Sequence, residues 1–216
     1  MSVGVQRVSR SVRRQQILQA AKELFAKQGF EGTTTRLIAD RVGINEAILF
    51  RHFPHKEDLY WAIIESECRL CGEGHISKKN LTVIQDDRQV FQAIAKEILQ
   101  HSEQDPSLMR LLLFSALEDH RLSHRFFQYY IAERYEVLAN YIRRRIKEGA
   151  FRAVDPYLAA RSFVGMVVYH VLLQELFGGK LVRQFDVKHV SRTLTDIWLE
   201  GVRSHRANST RQGHQH

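Results

Sequence analysis

Apolar residues along this chain recur at helical spacing, and no stretch shows the strict alternation of a strand. Ile17, Ala20, Ala21, Leu24 and Phe25 fall at i, i+3, i+4, i+7 and i+8, which predicts a helix over Val12–Gln28. Gly29 reads as its left-handed terminator. Thr33 reads as the N-cap of a helix over Thr34–Val42, with Leu37, Ile38 and Val42 turned inward. Gly43 supplies the positive φ of a tight turn. Asn45 then caps a short helix, Glu46–Phe53, anchored by Ile44, Ile48 and Leu49 and stopped by Pro54. A fourth helix opens at Lys56, with Glu57 and Asp58 in its first turn where the helix dipole favours acids, and runs to about Leu70.

The pattern breaks at Cys71–Gly74, and residues 72–87 read as a polar loop. It resumes over Val90–His101, Pro106–Leu117, Phe126–Glu148, Pro156–Phe177 and Val187–Ser204, with a loop expected over Glu118–Ser123. Asp105-Pro106 and Asp155-Pro156 each place an acid cap before a proline at the first helical position. Gly149 and Gly178-Gly179 read as helix ends. No internal repeat is visible. The expected architecture is all-α with about nine helices. A flexible basic arm (1–11) leads to a three-helix head (12–55). A connecting helix (56–71), a larger helical domain (72–204) and a disordered tail (205–216) follow.

Charge sharpens this division. The chain of 216 residues has a formal net charge of +8, yet residues 1–60 hold ten Lys/Arg against six Asp/Glu, and residues 201–216 hold three Arg and no acid. The middle is left near neutral, which suits a DNA-binding head on a body with another task. No apolar run reaches the roughly 18 residues of a membrane span, and the basic N-terminus lacks the apolar segment of a signal peptide. Two Cys make no disulfide framework, so a cytoplasmic location is expected.

Gly32 to Lys56 has the layout of a helix-turn-helix, in which the second helix lies in the major groove. Its exposed positions would be Asn45, Glu46, Ala47, Arg51 and His52. Asn pairs with adenine, Glu accepts from cytosine N4, and Ala touches a thymine methyl. Thr33, Thr34, Arg36, His52 and Lys56 would hold phosphates, with backbone N–H groups at the helix starts near Thr34 and Lys56. Plainer roles stand beside these: Asn45 as a cap only, Glu46 as a favourable charge at the helix dipole, His52 as a surface residue. Arg7, Arg10, Arg13 and Arg14 either reach DNA or only keep the arm solvated.

Residues 12–60 resemble the N-terminal domain of TetR-family transcriptional regulators. The resemblance is carried by Ile17-Leu18-Gln19-Ala20-Ala21, Leu24-Phe25, Gly29-Phe30, Thr33 to Ala39, Val42-Gly43-Ile44, Leu49-Phe50-Arg51-His52-Phe53 and Lys56-Glu57-Asp58-Leu59. Phe50 stands where the family usually has a Tyr whose hydroxyl meets a phosphate, Glu46 where a Lys is common, and His55 where a Ser often caps. The resemblance implies a homodimer on a near-palindromic operator and a helical domain that binds a small effector and dimerises through its last two helices. On that implication the partners are double-stranded DNA, a second copy of the chain and a small apolar or aromatic molecule. Effector binding would shift the helix at 56–70 and release a repressor from its operator.

The body carries no sharp motif of its own. The expected dimer residues are Val164, Val168, Val171, Val190, Leu194, Ile197, Trp198 and Gly201. The candidate pocket lining is Met109, Leu113, Phe114, Leu117, Tyr130, Met166, Tyr169, His170 and Gln174, each of which is equally an ordinary core residue. Cys68-x-x-Cys71 with His75 is incomplete for tetrahedral zinc, and His120 and His124 have helical metal spacing on a segment read as a loop. No phosphate loop, GxSxG elbow or HExxH occurs. No cofactor, metal or enzymatic activity is expected. The rival readings are a helical small-molecule binder whose head does not read DNA, and a metal-dependent helical enzyme built on Cys68, Cys71 and His75.

Overall fold

A computed structural model describes residues 9–72, 86–118 and 121–204, excepting the side chains of residues 68–72. Calls on residues 1–8, 73–85 (with His75), His120, the cysteine side chains and 205–216 lie outside the described residues; Gly72 and Asp87, expected in the polar loop, are helical. In chain order the helices are α1 (Arg10–Gln28), α2 (Thr35–Val42), α3 (Glu46–His52), α4 (Lys56–Gly72), α5 (Asp87–Gln104), α6 (Ser107–Leu117), α7 (Arg121–Phe126), α8 (Ala132–Lys147), α9 (Pro156–Val171), α10 (Gly179–Val182) and α11 (Val187–Val202). π-helical turns at Phe127–Ile131 and Leu172–Leu176 join α7 to α8 and extend α9. The described residues are therefore all-α, as expected, with no strand beyond an isolated bridge between Phe151 and Arg203.

The chain divides into two compact units: Met1–Arg69 with Ser107–Phe126, and Leu70–Pro106 with Phe127–His216. This differs from the expected boundary, because α6 and α7 belong with the head. Tyr60 on α4 donates its hydroxyl to the carbonyl of Leu111 at 2.7 Å, and a Glu118 carboxylate oxygen accepts the N–H of Phe30 at 3.2 Å. Sequence spacing carries no signal for either contact.

The first unit is built around the buried face of α1. Ile17, Ala20, Ala21 and Phe25 are buried, as expected, and Leu24 is half-buried. Phe25, Phe30 and Tyr60 form a closed aromatic trio with centroids 5.2–5.6 Å apart. Beside it, Lys22 and Glu67 form a buried ion pair at 2.6 Å between α1 and α4. Two local expectations need correction. The cap of α2 is Thr34, whose Oγ1 accepts from the N–H of Leu37 at 3.2 Å, and not Thr33. Leu37 is not turned inward but is 44% exposed, because Ile38 and Ala39 take the core side of this short helix.

The second unit packs α5, α8, α9 and α11 around Phe91, Phe163 and Trp198, whose ring centroids lie 4.2–5.5 Å apart. The Trp198 indole N–H donates to Ser162 Oγ at 3.0 Å. Arg145 grips the Asp87 carboxylate with two N–H groups at 2.7 and 3.0 Å, and the Tyr141 hydroxyl donates to the same carboxylate at 2.6 Å. Asp155 caps α9 by accepting from Leu158 N–H at 2.8 Å, with Pro156 at the first position. The parallel expectation at Asp105-Pro106 is not met: α6 starts one residue later, at Ser107, and Asp105 closes α5 in an extended conformation. Arg121–Ser123, expected as loop, is helical.

Three expected dimer residues, Val171, Val190 and Trp198, are instead buried in their own unit. Val164, Val168 and Leu194 are half-buried, and Ile197 and Gly201 are exposed. The continuous helix Pro156–Leu176 is also long and apolar enough for a membrane span by composition, contrary to the sequence expectation. It packs on α5, α8 and α11, and 28% of its apolar window is buried.

Gly29 ends α1 with φ 77° and ψ 177°, a conformation open to glycine almost alone and not the left-handed helical one expected. A Cβ there would lie 2.3 Å from the Glu118 carboxylate. Gly29→Ala is expected to lower the unfolding free energy by about 2 kcal/mol, measured by urea denaturation. A change within error would show that this turn has a relaxed alternative.

Candidate nucleic-acid interface

The helix-turn-helix rests on two turns whose chemistry is local. Gly43 adopts the left-handed conformation at φ 71° and ψ 40°, and the N–H of Ile44 returns to the carbonyl of Ala39 at 3.0 Å. Asn45 Oδ1 accepts from the N–H of Ile48 at 2.9 Å, capping α3. Leu49 and Phe53 are buried and fix α3 to the unit. Glu46 is tied down by the Thr35 hydroxyl, which donates to its carboxylate at 2.6 Å. Thr35 is thus a positioning residue that sequence reading missed, since a bond between residues eleven apart has no periodic signature.

What remains outward on α3 is Ala47, Phe50 and Arg51, with Asn45 at its start. Thr34 and Arg36 are exposed on the neighbouring α2. The start of α1 meets the end of α3. Ser9 Oγ accepts from Val12 N–H at 3.3 Å, so Arg10, Arg13 and Arg14 are helical and not part of a loose arm. The Arg14 guanidinium lies 4.2 Å from the Phe53 ring centroid and donates to the His52 carbonyl at 3.5 Å. These arginines make a cationic border at the end of α3, beside His52.

The electrostatics register on His52. Burial, and then the charges of Arg10, Arg14 and Arg13, hold its pKa below the ordinary 6.5. The sign follows: because the folded value is depressed, His52 is neutral in the folded protein at pH 7. The native state loses stability as pH falls below the unfolded value of 6.5.

Two expected phosphate contacts are reassigned. Thr33 is 0% exposed and donates its hydroxyl to the Gly29 carbonyl at 2.8 Å, so it is an internal staple and cannot reach a phosphate. Lys56 Nζ donates to the carbonyls of Phe30 at 2.9 Å and Thr33 at 3.1 Å, and sits 4.0 Å from the Phe30 ring centroid. Its first task is to close the turn between α1 and α2.

The expected pocket residues are divided between the units. In the first, Met109, Leu113 and Phe114 are half-buried, but Leu117 is 84% exposed on the side of α6 opposite Leu111 and Ser115. In the second, Tyr130, Met166, His170 and Gln174 are half-buried, while Tyr169 is 63% exposed. Leu117 and Tyr169 therefore line no enclosed site within their own units. His170 and Gln174 do face one small cleft of about 20 Å³, with Leu99, Val171, Val190 and Phe185. Lys180 bridges Glu175 at 2.7 Å and Glu103 at 4.0 Å at its rim. The space fits a single water. No group of three metal-ligating side chains occurs among the described residues.

Residues 17–63 match the family model described as bacterial regulatory proteins, tetR family, and residues 89–200 match that of the AefR-like transcriptional repressor, C-terminal domain. Among similar proteins, the nucleoid occlusion factor SlmA of Aliivibrio fischeri is 33% identical over 163 residues, covering 72% of this chain and 80% of the relative. That of Sodalis glossinidius is 35% identical over 160 residues, covering 70% and 77%. Among solved structures, AibR in complex with isovaleryl coenzyme A and operator DNA aligns with a TM-score of 0.68 at 22% identity, covering 86% of this chain and 97% of that one. The TetR family transcriptional regulator PfmR from Thermus thermophilus aligns at 0.64 and 21% identity, covering 85% and 97%. At these identities the solved structures speak for the fold alone.

Two measurements test the local assignments. In proton-resolved titration of the free protein, His52 is expected to titrate below 6.5, and Arg14→Gln is expected to raise its midpoint. An unmoved midpoint would remove Arg14 from the border. Lys56→Met is expected to lower the unfolding free energy by about 1–2 kcal/mol. Unchanged denaturation would return Lys56 to a purely external role.

Proposed function

Because this chain belongs to the TetR family of DNA-binding transcriptional regulators, we propose that it works as a homodimeric repressor on a near-palindromic operator in the cytoplasm. The observation that carries the reading is the outward face of the short helix α3, with Arg10, Arg13 and Arg14 gathered beside His52 at its end and Arg36 exposed on α2. A short rigid helix with a cationic border suits the major groove of a polyanion, where arginines hold phosphates and the helix reads base edges. Arg36, Thr34, Arg51 and His52 are the phosphate-holding set. Asn45, Ala47 and Phe50 face the bases, and Glu46 braces α3 against Thr35.

Dimerisation is assigned to the outward side of α9 and α11. Val164, Val168, Leu194, Ile197 and Gly201 keep surface there, with Ile197 56% exposed, and the positions of Gly165 and Gly201 meet open space. Glycines with open space let a partner helix approach closely. Two heads so joined would reach major grooves about 34–36 Å apart. The effector is proposed to be a small apolar or aromatic molecule held within the second unit, with the half-buried Tyr130, Met166, His170 and Gln174 as its candidate contacts. Coupling of roughly 1–3 kcal/mol between effector and DNA is the usual scale.

A second reading comes from the SlmA relatives, whose name gives them a role in nucleoid occlusion. On that reading the chain acts in nucleoid occlusion rather than at a promoter. Genome-wide occupancy separates the two.

Selection of duplexes from a random pool by the full chain is expected to return a near-palindrome. Arg36→Ala or Arg51→Ala is expected to weaken binding to all sequences and to flatten the dependence of log affinity on log salt by about two, one phosphate per protomer. Asn45→Ala is expected to change the selected sequence instead. Failure to enrich any duplex near 150 mM salt would defeat the proposal.

A further inference from the structure

The outward edge of α3 is apolar where a base reader usually carries donors and acceptors. Ala47 and Phe50 lie three residues apart, both turned to solvent, and Phe50 is 43% exposed. Of the polar groups that flank them, Asn45 and Glu46 are engaged, and Arg51 is exposed. Asn45 Oδ1 accepts from Ile48 N–H at 2.9 Å, and the Glu46 carboxylate accepts the Thr35 hydroxyl at 2.6 Å. Ile48 and His52 are half-buried and Leu49 is buried. A single exposed phenyl ring on a protein surface has no special meaning. This one stands next to the exposed Arg51, on a seven-residue helix whose end, at His52 and Phe53, meets Arg14, so a polyanion drawn to these cations is brought close to it.

A phenyl ring and a methyl group have no hydrogen-bonding atoms, so they cannot read the donors and acceptors of guanine, cytosine or adenine. The apolar group displayed on the major-groove edge of a base pair is the C5-methyl of thymine, and Ala and Phe are suited to touch it. We infer that Ala47 and Phe50 read thymine methyl groups, so that each half-site of the operator carries two thymines a step or two apart. Three residues of helix advance about 4.5 Å, against about 3.4 Å for one base-pair step, which sets that spacing. The inference rests on α3 being the recognition helix and adds what that helix recognises.

The test removes the methyl group and nothing else. Each thymine of the selected duplex is replaced in turn by uracil, and affinity for the full-length protein is measured. Two positions per half-site are expected to respond, each by about fourfold, the effect of exposing one buried methyl. Phe50→Ala is expected to abolish the response at one of them. Phe50→Tyr, which keeps the ring, is expected to retain it, and Ala47→Gly is expected to abolish the response at the other. Uracil tolerated at every position overturns the inference and puts the ring on sugar and phosphate instead, as does a response that Phe50→Ala leaves unchanged. If no duplex is enriched, the proposed function falls first and this inference with it.

Discussion

The contact on which the DNA-reading unit depends is the aromatic trio of Phe25, Phe30 and Tyr60. It brings together the end of α1, the turn after it and the first turns of α4. Each ring is buried, and aromatic pairs at these separations gain beyond the area they remove from water. Lys56 covers the open side of Phe30 and draws the carbonyls of Phe30 and Thr33 onto its ammonium. The Tyr60 hydroxyl extends the same cluster to α6 through Leu111. The turn that presents α2, and through α2 the short helix α3, is thus closed by one cation and three rings.

This scaffold matters because α3 has only seven residues. A helix so short has no independent stability in water, since nucleation costs more than so few bonds return. It persists because Asn45 caps it, Leu49 and Phe53 are buried, and the Thr35 hydroxyl holds Glu46. Those restraints also decide which side chains are left free. Glu46 braces the helix, and Ala47, Phe50 and Arg51 become its outward face. The glutamate that stands where the family often has a lysine thus acts within the head.

The second unit is organised differently, by charge at one end and aromatic packing in the middle. Asp87, at the start of α5, accepts from Arg145 and Tyr141 together, and burial and the neighbouring carboxylate both raise the Tyr141 phenol above its usual range. Phe91, Phe163 and Trp198 then fill the space between α5, α9 and α11. Trp198 has to satisfy its indole N–H when buried, and Ser162 provides the acceptor. This is why Trp198 faces its own core and leaves Ile197, one residue earlier, to the surface.

The sequence by itself determined the helical class, the order of the elements and the reading head. Each of these follows from local rules: apolar spacing of 3.6, an Asn or Asp before a helix, a glycine where φ must be positive, a proline where a helix must stop. Gly43, Asn45, Asp155 and the core face of α1 were legible for that reason. Tertiary structure alone decided matters between residues distant in sequence. It assigned α6 and α7 to the head, turned Thr33 inward, gave Lys56 to two carbonyls and a ring, and buried Val171, Val190 and Trp198. A periodic pattern says that a helix has an apolar face; which neighbour covers that face, and which polar group a side chain meets, depends on packing that no local spacing encodes.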